Sequence, residues 1–219
     1  MGGLPVVRFR GGEFGTADHV LEAADDATLQ ATNEYTICMS LRFNGKGNRN
    51  EAIFVKARNG DKDIASFALL RFAADGKLGL DQNINGQWSG RLKTENAIPD
   101  NTPLLLLARW KAGQLQLKVM KRDEILADLS TALTGEIDPG SGGPISIGGY
   151  TQAFSEEGER MNGDIGEVLY FTEGIEDDEL ETITIYLKKR WLNNHSTQLT
   201  ALELYSQALL NLNEFVYIE

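Results

Sequence analysis

The stretch Asn162–Trp191, NGDIGEVLYFTEGIEDDELETITIYLKKRW, decides how this chain folds. Its first part is a β-branched and aromatic run that ends at Glu173-Gly174, which predicts a strand followed by a turn. Its second part predicts an amphipathic helix near 176–190, with acidic residues in the first turn and basic residues in the last, an order that suits the helix dipole. The apolar positions of that helix are Ile175, Leu180, Ile183, Ile185, Tyr186 and Leu187. We therefore expect a strand that returns to a sheet and is closed by one short helix.

The rest of the chain up to this stretch predicts short strands joined by tight turns. Asn85-Gly86 is the strongest hairpin motif because both residues accept positive φ, and Asp75-Gly76 and Lys111-Ala112-Gly113 mark two more turns. Residues from Tyr35 to Arg42 alternate between two faces, whereas Leu104–Leu107 is apolar throughout, so we expect that strand to be covered on both faces. Strands at hairpin spacing without intervening helices favour an all-β fold of two stacked antiparallel sheets.

Four segments, in this order along the chain, resemble the concanavalin A-like lectin/glucanase superfamily and, within it, laminin-G-like jelly-roll domains. Asn162–Trp191 is similar to that group's strand "G-x-I-x-E-(V/L)" and to its helix ending near "YL-x-x-(R/K)-W". The other three segments are DATLQATNEYTICMSLRF (26–43), ARWKAGQLQLKVM (108–120) and PISIGGY (144–150). The resemblance implies a two-sheet antiparallel jelly-roll sandwich over residues 1–191 and a binding function. The chain departs from the family pattern in two places. Pro103-Leu104-Leu105 stands where the family often has Trp-His-His, and segment 26–43 lacks the family's tryptophan.

Bulk composition excludes several kinds of partner. The net charge is -11, from 32 acidic and 21 basic residues, and no basic stripe is present, so we expect no nucleic-acid binding. No segment is apolar for long enough to insert into a membrane. The single cysteine, Cys38, lies in an alternating strand and is interpreted as a small core residue. The first residues, MGGLPVVRF, lack the pattern of a secretory signal, so either a signal was removed or the protein is made in a cytoplasm.

The sequence offers no arrangement for catalysis. The resemblance implies that a hydrolase would carry two carboxylates on one strand, but Glu136-Ile137-Asp138 lacks the second glutamate and leads into Pro139-Gly140. The two histidines, His19 and His195, form neither a Ser-His-Asp arrangement nor zinc-ligand spacing. We therefore expect a protein that is not an enzyme, with a glycoside hydrolase as the alternative that the resemblance leaves open.

The first candidate binding site is a polar hairpin with one tryptophan: Asn83, Asn85, Gln87 and Trp88, preceded by Asp81 and Gln82. Glycan sites need planar hydrogen-bonding side chains for sugar hydroxyls and an aromatic ring for the apolar face of the sugar. Tyr150, at the start of the loop that leads to Asn162, is a further candidate contact. The alternative interpretation is an edge hairpin whose tryptophan packs into the sheet.

The second candidate site would bind calcium, the only cofactor that the sequence suggests. Asn59, Asp61 and Asp63 place alternate oxygen ligands in a tight turn. Three ligands are too few for a calcium cage without donors from another loop, such as Glu156 or Glu157. The alternative interpretation is a solvated turn.

Residues 192–219 lie outside the resemblance and predict a C-terminal arm with a helix from about Ser196 to Asn211, followed by strand-like FVYIE. One side of that helix carries Leu199, Leu202, Leu209 and Leu212. Either these leucines pack on the same sandwich, or they form a docking or oligomerisation surface, because exposed apolar stripes mark interfaces.

These observations together predict a lectin-like binding module without catalytic activity. A domain with no signal, no disulfide and a leucine-rich arm fits a virion surface protein of a bacteriophage, in the head decoration or tail. Such a protein is made in the host cytoplasm and binds glycans or neighbouring subunits, as a homo-oligomer or within a larger assembly. This step rests on association with the fold. The alternative is a secreted or cell-surface carbohydrate-binding module of a bacterium, with an extracellular location.

Overall fold

The structure, a computed structural model, describes residues 1, 3–11, 20–31, 33–57, 65–137, 143–150 and 159–192. Across these ranges the strands are β1 Val7–Arg10, β2 Leu21–Ala23, β3 Tyr35–Phe43, β4 Glu51–Ala57, β5 Ala65–Arg71, β6 Leu78–Ile84, β7 Gln87–Lys93, β8 Leu104–Lys111, β9 Gln114–Lys121, β10 Glu124–Ala132, β11 Ile145–Ile147 and β12 Asn162–Phe171. A 3-10 turn spans Ala27–Leu29. The α-helix α1 spans Asp177–Leu187 and continues as a π-helical segment, Lys188–Leu192.

The strands form two six-stranded sheets in which every strand pairing is antiparallel. Sheet A has the order β1-β12-β3-β8-β9-β10, and sheet B has the order β2-β11-β4-β5-β6-β7. Strand β12 pairs with β1 and β3, so the strand of the 162–191 stretch returns between two early strands of sheet A. The predicted all-β sandwich of two antiparallel sheets with a short helix is confirmed.

The central core lies between the two sheets, where β3 shows the predicted alternation. Tyr35, Ile37, Met39 and Leu41 belong to this core and are fully buried. They meet aromatic and aliphatic side chains of sheet B, and the ring centroids of Tyr35 and Phe67 are 4.2 Å apart. Continuous apolar packing across both sheets is what stabilises a sandwich of this kind.

The outer face of sheet A is covered by α1. Leu105 and Leu107 of β8 face this side together with Cys38 and Trp191, whereas Leu104 and Leu106 face the central core. The prediction that β8 is covered on both faces is therefore confirmed. Cys38 is fully buried, and burial raises the pKa of its thiol to about 12, so it is a core residue as predicted.

The glycine and the glutamate at the centre of β12 hold the helix on the sheet. A Cβ at Gly166 would lie 2.6 Å from two ring atoms of Trp191, so only glycine lets the indole pack against the strand. The carboxylate of Glu167 accepts hydrogen bonds from the Trp191 Nε1–H at 2.7 Å and from the Tyr186 hydroxyl at 3.0 Å. The 162–191 stretch thus encodes a strand and the helix that packs on it.

Three features of the sequence prediction differ from the structure or cannot be compared with it. The apolar side of α1 was assigned wrongly, one strand was missed, and the C-terminal arm lies outside the described residues. Ile185 and Tyr186, assigned to the apolar side of α1, are 59% and 43% exposed. The edge strand β10 was not predicted. Residues 193–219, with the predicted arm and its leucines Leu199, Leu202, Leu209 and Leu212, lie outside the described residues, so the division of the chain after residue 191 stays a prediction.

Candidate functional site

The hairpin of β6 and β7, at the edge of sheet B, positions the candidate glycan-binding residues. Asn85-Gly86 forms its turn with φ of 53° and 79°, the left-handed conformations that this pair accepts. Leu80 and Ile84 of β6 face the central core. Because side chains alternate along a strand, Asp81 and Asn83 project from the outer face of sheet B.

The register of the hairpin adds two side chains of β7 to this outer face. Trp88 pairs with Asn83 and Arg91 pairs with Asp81, because a bulge in β7 shifts the register between these two pairs. Cross-strand partners lie on the same face of a sheet. We call the four residues Asp81, Asn83, Trp88 and Arg91 the Trp88 patch.

A bidentate ion pair forms one side of the Trp88 patch. Arg91 Nε donates to Asp81 Oδ1 at 2.6 Å, and Arg91 Nη2 donates to Asp81 Oδ2 at 2.5 Å. The Asp81 carboxylate raises the pKa of the Arg91 guanidinium, which also lies 5.1 Å from the ring centroid of Phe72. Asp81 is 6% exposed, whereas the Arg91 side chain is 57% exposed, so the pair is anchored on the sheet and its guanidinium reaches the solvent.

The other side of the Trp88 patch combines an exposed ring with a buried amide. Trp88 is 44% exposed, which is unusual for a residue of this size. Asn83 is fully buried, and neither its Nδ2 nor its Oδ1 has a hydrogen-bond partner among the described residues. A buried polar group left without a partner costs on the order of 1–3 kcal/mol, but this amide does not line the depression and a ligand does not reach it while it stays buried.

Tyr150 lies on the same outer face, behind the ion pair. Its ring packs with small and aliphatic side chains of β4 and β5: Ala52, Val55, Ala68 and Leu70. Burial raises the pKa of the Tyr150 hydroxyl, and the negative charges of Glu159 and Asp81 raise it further, while Arg91 opposes them. The hydroxyl is therefore protonated at neutral pH and lies within electrostatic range of the ion pair.

The Trp88 patch encloses a shallow depression of about 250 Å³, lined by Asp81, Trp88, Gly90 and Arg91. This is below the range of pockets that enclose drug-sized ligands, so it suits one small ring with the remainder of a ligand in solvent. The patch offers an aromatic face and guanidinium N–H groups beside a carboxylate. Groups of this kind can bind polyhydroxylated molecules.

Three of the predicted glycan contacts, Asn85, Gln87 and Tyr150, do not join this patch, and Tyr150 is 7% exposed. Asn85 bonds to a neighbouring loop instead, since its Oδ1 accepts from the Glu136 backbone N–H at 3.2 Å and its own N–H donates to the Glu136 carbonyl at 3.0 Å. Gln87 is exposed and pairs with Ile84, a core residue, which places the glutamine on the opposite face from Trp88. Gln82, grouped with them in the sequence, is buried in the core, where it accepts from the Tyr35 hydroxyl at 2.7 Å.

The predicted calcium ligands Asn59, Asp61 and Asp63 lie outside the described residues, as does most of the loop between Tyr150 and Asn162. Within the described ranges, no group of three or more His, Cys, Asp or Glu side chains is arranged to hold a metal ion. The same part of the chain has no helix with the length and apolar composition needed to cross a bilayer. Calcium binding at 59–63 stays a prediction.

Comparisons with known proteins identify solved structures only. No protein-family model matches the chain, and no curated protein matches it. The CBM40 of the Ruminococcus gnavus IT-sialidase, bound to α2,3-sialyllactose, is similar with a TM-score of 0.60 and 19% identity, over 82% of this chain and 96% of that one. A heptameric SAP-like pentraxin from Limulus polyphemus is similar with a TM-score of 0.57 and 17% identity, over 80% of this chain and 79% of that one. Domains LG4-5 of the mouse laminin α1 chain are similar with a TM-score of 0.53 and 14% identity, over 78% of this chain and 44% of that one.

Identities this low show the fold alone, an antiparallel two-sheet jelly-roll sandwich of the kind that the sequence resemblance implied.

Proposed function

We propose that this concanavalin A-like jelly-roll domain is a non-catalytic carbohydrate-binding module that holds a sugar ring at the Trp88 patch. The observation that carries the proposal is a half-exposed indole beside a bidentate ion pair on a sheet face. Together they offer one apolar surface and several fixed polar groups at the scale of a single ring.

Each part of the patch has a role in sugar binding. The indole of Trp88 supplies a flat apolar surface for the C–H face of a sugar. Asp81 already fixes the Arg91 guanidinium through two of its five donors, so the remaining N–H groups can point at ligand oxygens with little loss of side-chain entropy. The Asp81 carboxylate and the Arg91 guanidinium neutralise each other. The proposed ligand contacts therefore depend on hydrogen-bond geometry more than on net charge.

The structural neighbours support the class of ligand. The CBM40 structure holds sialyllactose, which is a carbohydrate, on the same fold. At 19% identity this likeness supports the proposal at the level of ligand class and leaves the particular glycan to experiment. Nothing in the described residues bears on the predicted virion-surface location, on the alternative extracellular location, or on a homo-oligomer, and these stay predictions.

The test is binding to a glycan array, followed by calorimetry with the glycan that is retained. We expect Trp88→Ala to lower the affinity at least about tenfold, equivalent to 1.4 kcal/mol, in protein that keeps a cooperative thermal transition. Tyr186→Ala is the matched control, since Tyr186 is 43% exposed and belongs to α1, which covers the other sheet. The proposal is wrong if no glycan is retained with or without calcium, or if both variants bind equally well.

Arg91→Lys separates hydrogen-bond geometry from charge at the same site. Lysine keeps the positive charge but cannot form the bidentate contact with Asp81, so we expect weaker sugar binding and little change in its salt dependence. If the Arg91→Lys variant binds the sugar as tightly as the unaltered chain, the guanidinium does not contact the ligand.

A further inference from the structure

A groove of about 590 Å³ runs along the outer face of sheet A, between α1 and the edge strand β10. Its floor and walls include the apolar residues Leu107, Met120, Ile125, Leu129, Leu180 and Ile185. Ile125 and Ile185 are 54% and 59% exposed, although both are large aliphatic side chains. Exposed apolar surface of this kind marks a place where another element packs.

Of the basic side chains that line the groove, two form ion pairs and one, a lysine, has no ion-pair partner among the described residues. Lys118 pairs with Asp128 at 2.7 Å, and Arg109 pairs with Asp177 at 2.6 Å. Lys188, which also lines the groove, has no carboxylate within ion-pair distance in the described part of the chain. The lining also includes the carboxylates of Asp123 and Glu181, so its charges are mixed and its exposed apolar side chains are what an occupant would cover.

The chain itself leaves the described structure beside this groove. Leu192 is buried in the same hydrophobic cluster as Leu107 and Met120, two residues of the groove floor. Residues 193–195 then provide a connection of about 10 Å, and the predicted helix Ser196–Asn211 would be about 24 Å long. The nine residues of β10 span about 30 Å, so the groove wall is long enough for this helix.

We propose that the C-terminal arm of the same chain occupies this groove, with Leu202 and Leu209 facing Ile125 and Ile185. Glu203 is the one charged residue of the predicted helix Ser196–Asn211, so apolar contacts of its leucines would dominate the docking. A short connection gives the arm an effective concentration in the millimolar range, so it occupies its own groove before that of a second copy.

The test measures how fast a reporter cysteine in the groove reacts with a maleimide in the full chain. Ile125→Cys places the reporter, and the native Cys38 stays silent because its buried thiol has a pKa of about 12. Val7→Cys is the reference, since Val7 is 46% exposed on β1 at the other edge of sheet A. Each rate is normalised to the rate of the same variant in urea.

We expect the Ile125→Cys thiol to react at least about tenfold more slowly than the Val7→Cys thiol, the factor that a docking free energy of 1.4 kcal/mol gives. Leu202→Asp with Leu209→Asp should remove this protection. Thr200→Asp with Gln207→Asp, which adds the same charge on the opposite side of the predicted helix, should keep it.

Three results would overturn the proposal. The first is an Ile125→Cys thiol that reacts as fast as the Val7→Cys thiol in a chain whose arm is unaltered. This result does not depend on the folding of any arm variant. The second is protection that survives Leu202→Asp with Leu209→Asp in a chain whose thermal transition is unchanged. The third is protection that disappears on roughly hundredfold dilution, because it would place the arm of a second copy in the groove.

Discussion

Replacing Gly166 by alanine tests whether the packing of Trp191 on β12 holds α1 on sheet A. The added Cβ would lie 2.6 Å from Cε3 and Cζ3 of the indole and 2.7 Å from the hydroxyl oxygen of Ser40, distances that real Cβ atoms do not show. Trp191 is 2% exposed and its Nε1–H is bonded to Glu167, so the ring has little room to move. Overpacking a well-packed site costs about 1–3 kcal/mol, and we expect the upper half of that range here.

The assay is urea unfolding followed by circular dichroism, with a thermal scan beside it. A loss of about 2–3 kcal/mol corresponds to a fall in Tm of about 4–12 °C for a domain of this size. The control is a double-mutant cycle with Trp191→Phe, because the smaller ring relieves the contact and the two losses should then combine to less than their sum. Gly166→Ala with a stability loss below about 0.5 kcal/mol, or with strictly additive losses, would refute the packing argument.

Three further predictions concern buried polar groups. Burial raises the pKa of Glu51 to about 7, so the folded chain keeps a proton that the unfolded chain gives up. Stability should therefore fall as the pH rises from about 4.5 to about 7, and Glu51→Gln should remove up to about 3 kcal/mol of that fall in urea titrations. Lys56 is fully buried and donates to Asp25 Oδ1 and to the Gly143 carbonyl, both at 2.6 Å. We expect Lys56→Met to cost about 2–3 kcal/mol, and Lys56→Met with Asp25→Asn to cost clearly less, because the negative charge that loses its lysine partner is then removed as well. The Cys38 thiol should stay unlabelled by maleimide at about pH 8 in native protein and react fully in urea, as liquid chromatography with mass detection would show.

The fold could be predicted because its determinants are local in the sequence. Asn85-Gly86 sets a hairpin turn by itself, and the residues of β3 alternate in a way that assigns each one to a face. The 162–191 stretch contains both the strand and the residues that fasten the helix to it, Gly166 and Glu167. Strand β10 was missed because it is an edge strand of exposed and half-exposed residues with none buried, and such a strand has no clear apolar period.

The candidate site could be predicted only in part, because its geometry depends on a bulge. Counting back from the Asn85-Gly86 turn places Trp88 opposite Asn83, as observed, but it places Gly90 opposite Asp81. The bulge shifts the register by one residue and brings Arg91 opposite Asp81 instead, which turns the arginine to the outer face. Tyr150 comes from a distant part of the chain, so its approach to this pair follows from the order of strands in sheet B.

The Trp88 patch and the groove beside α1 lie on opposite sides of the sandwich, with two sheets and the whole central core between them. The two surfaces share no side chain. Free-energy changes at separated sites without common partners add to within about 0.5 kcal/mol. Docking of the arm in the groove should thus leave the affinity of the Trp88 patch unchanged within that limit, so the chain can order its own tail on one side while the other side binds a ligand.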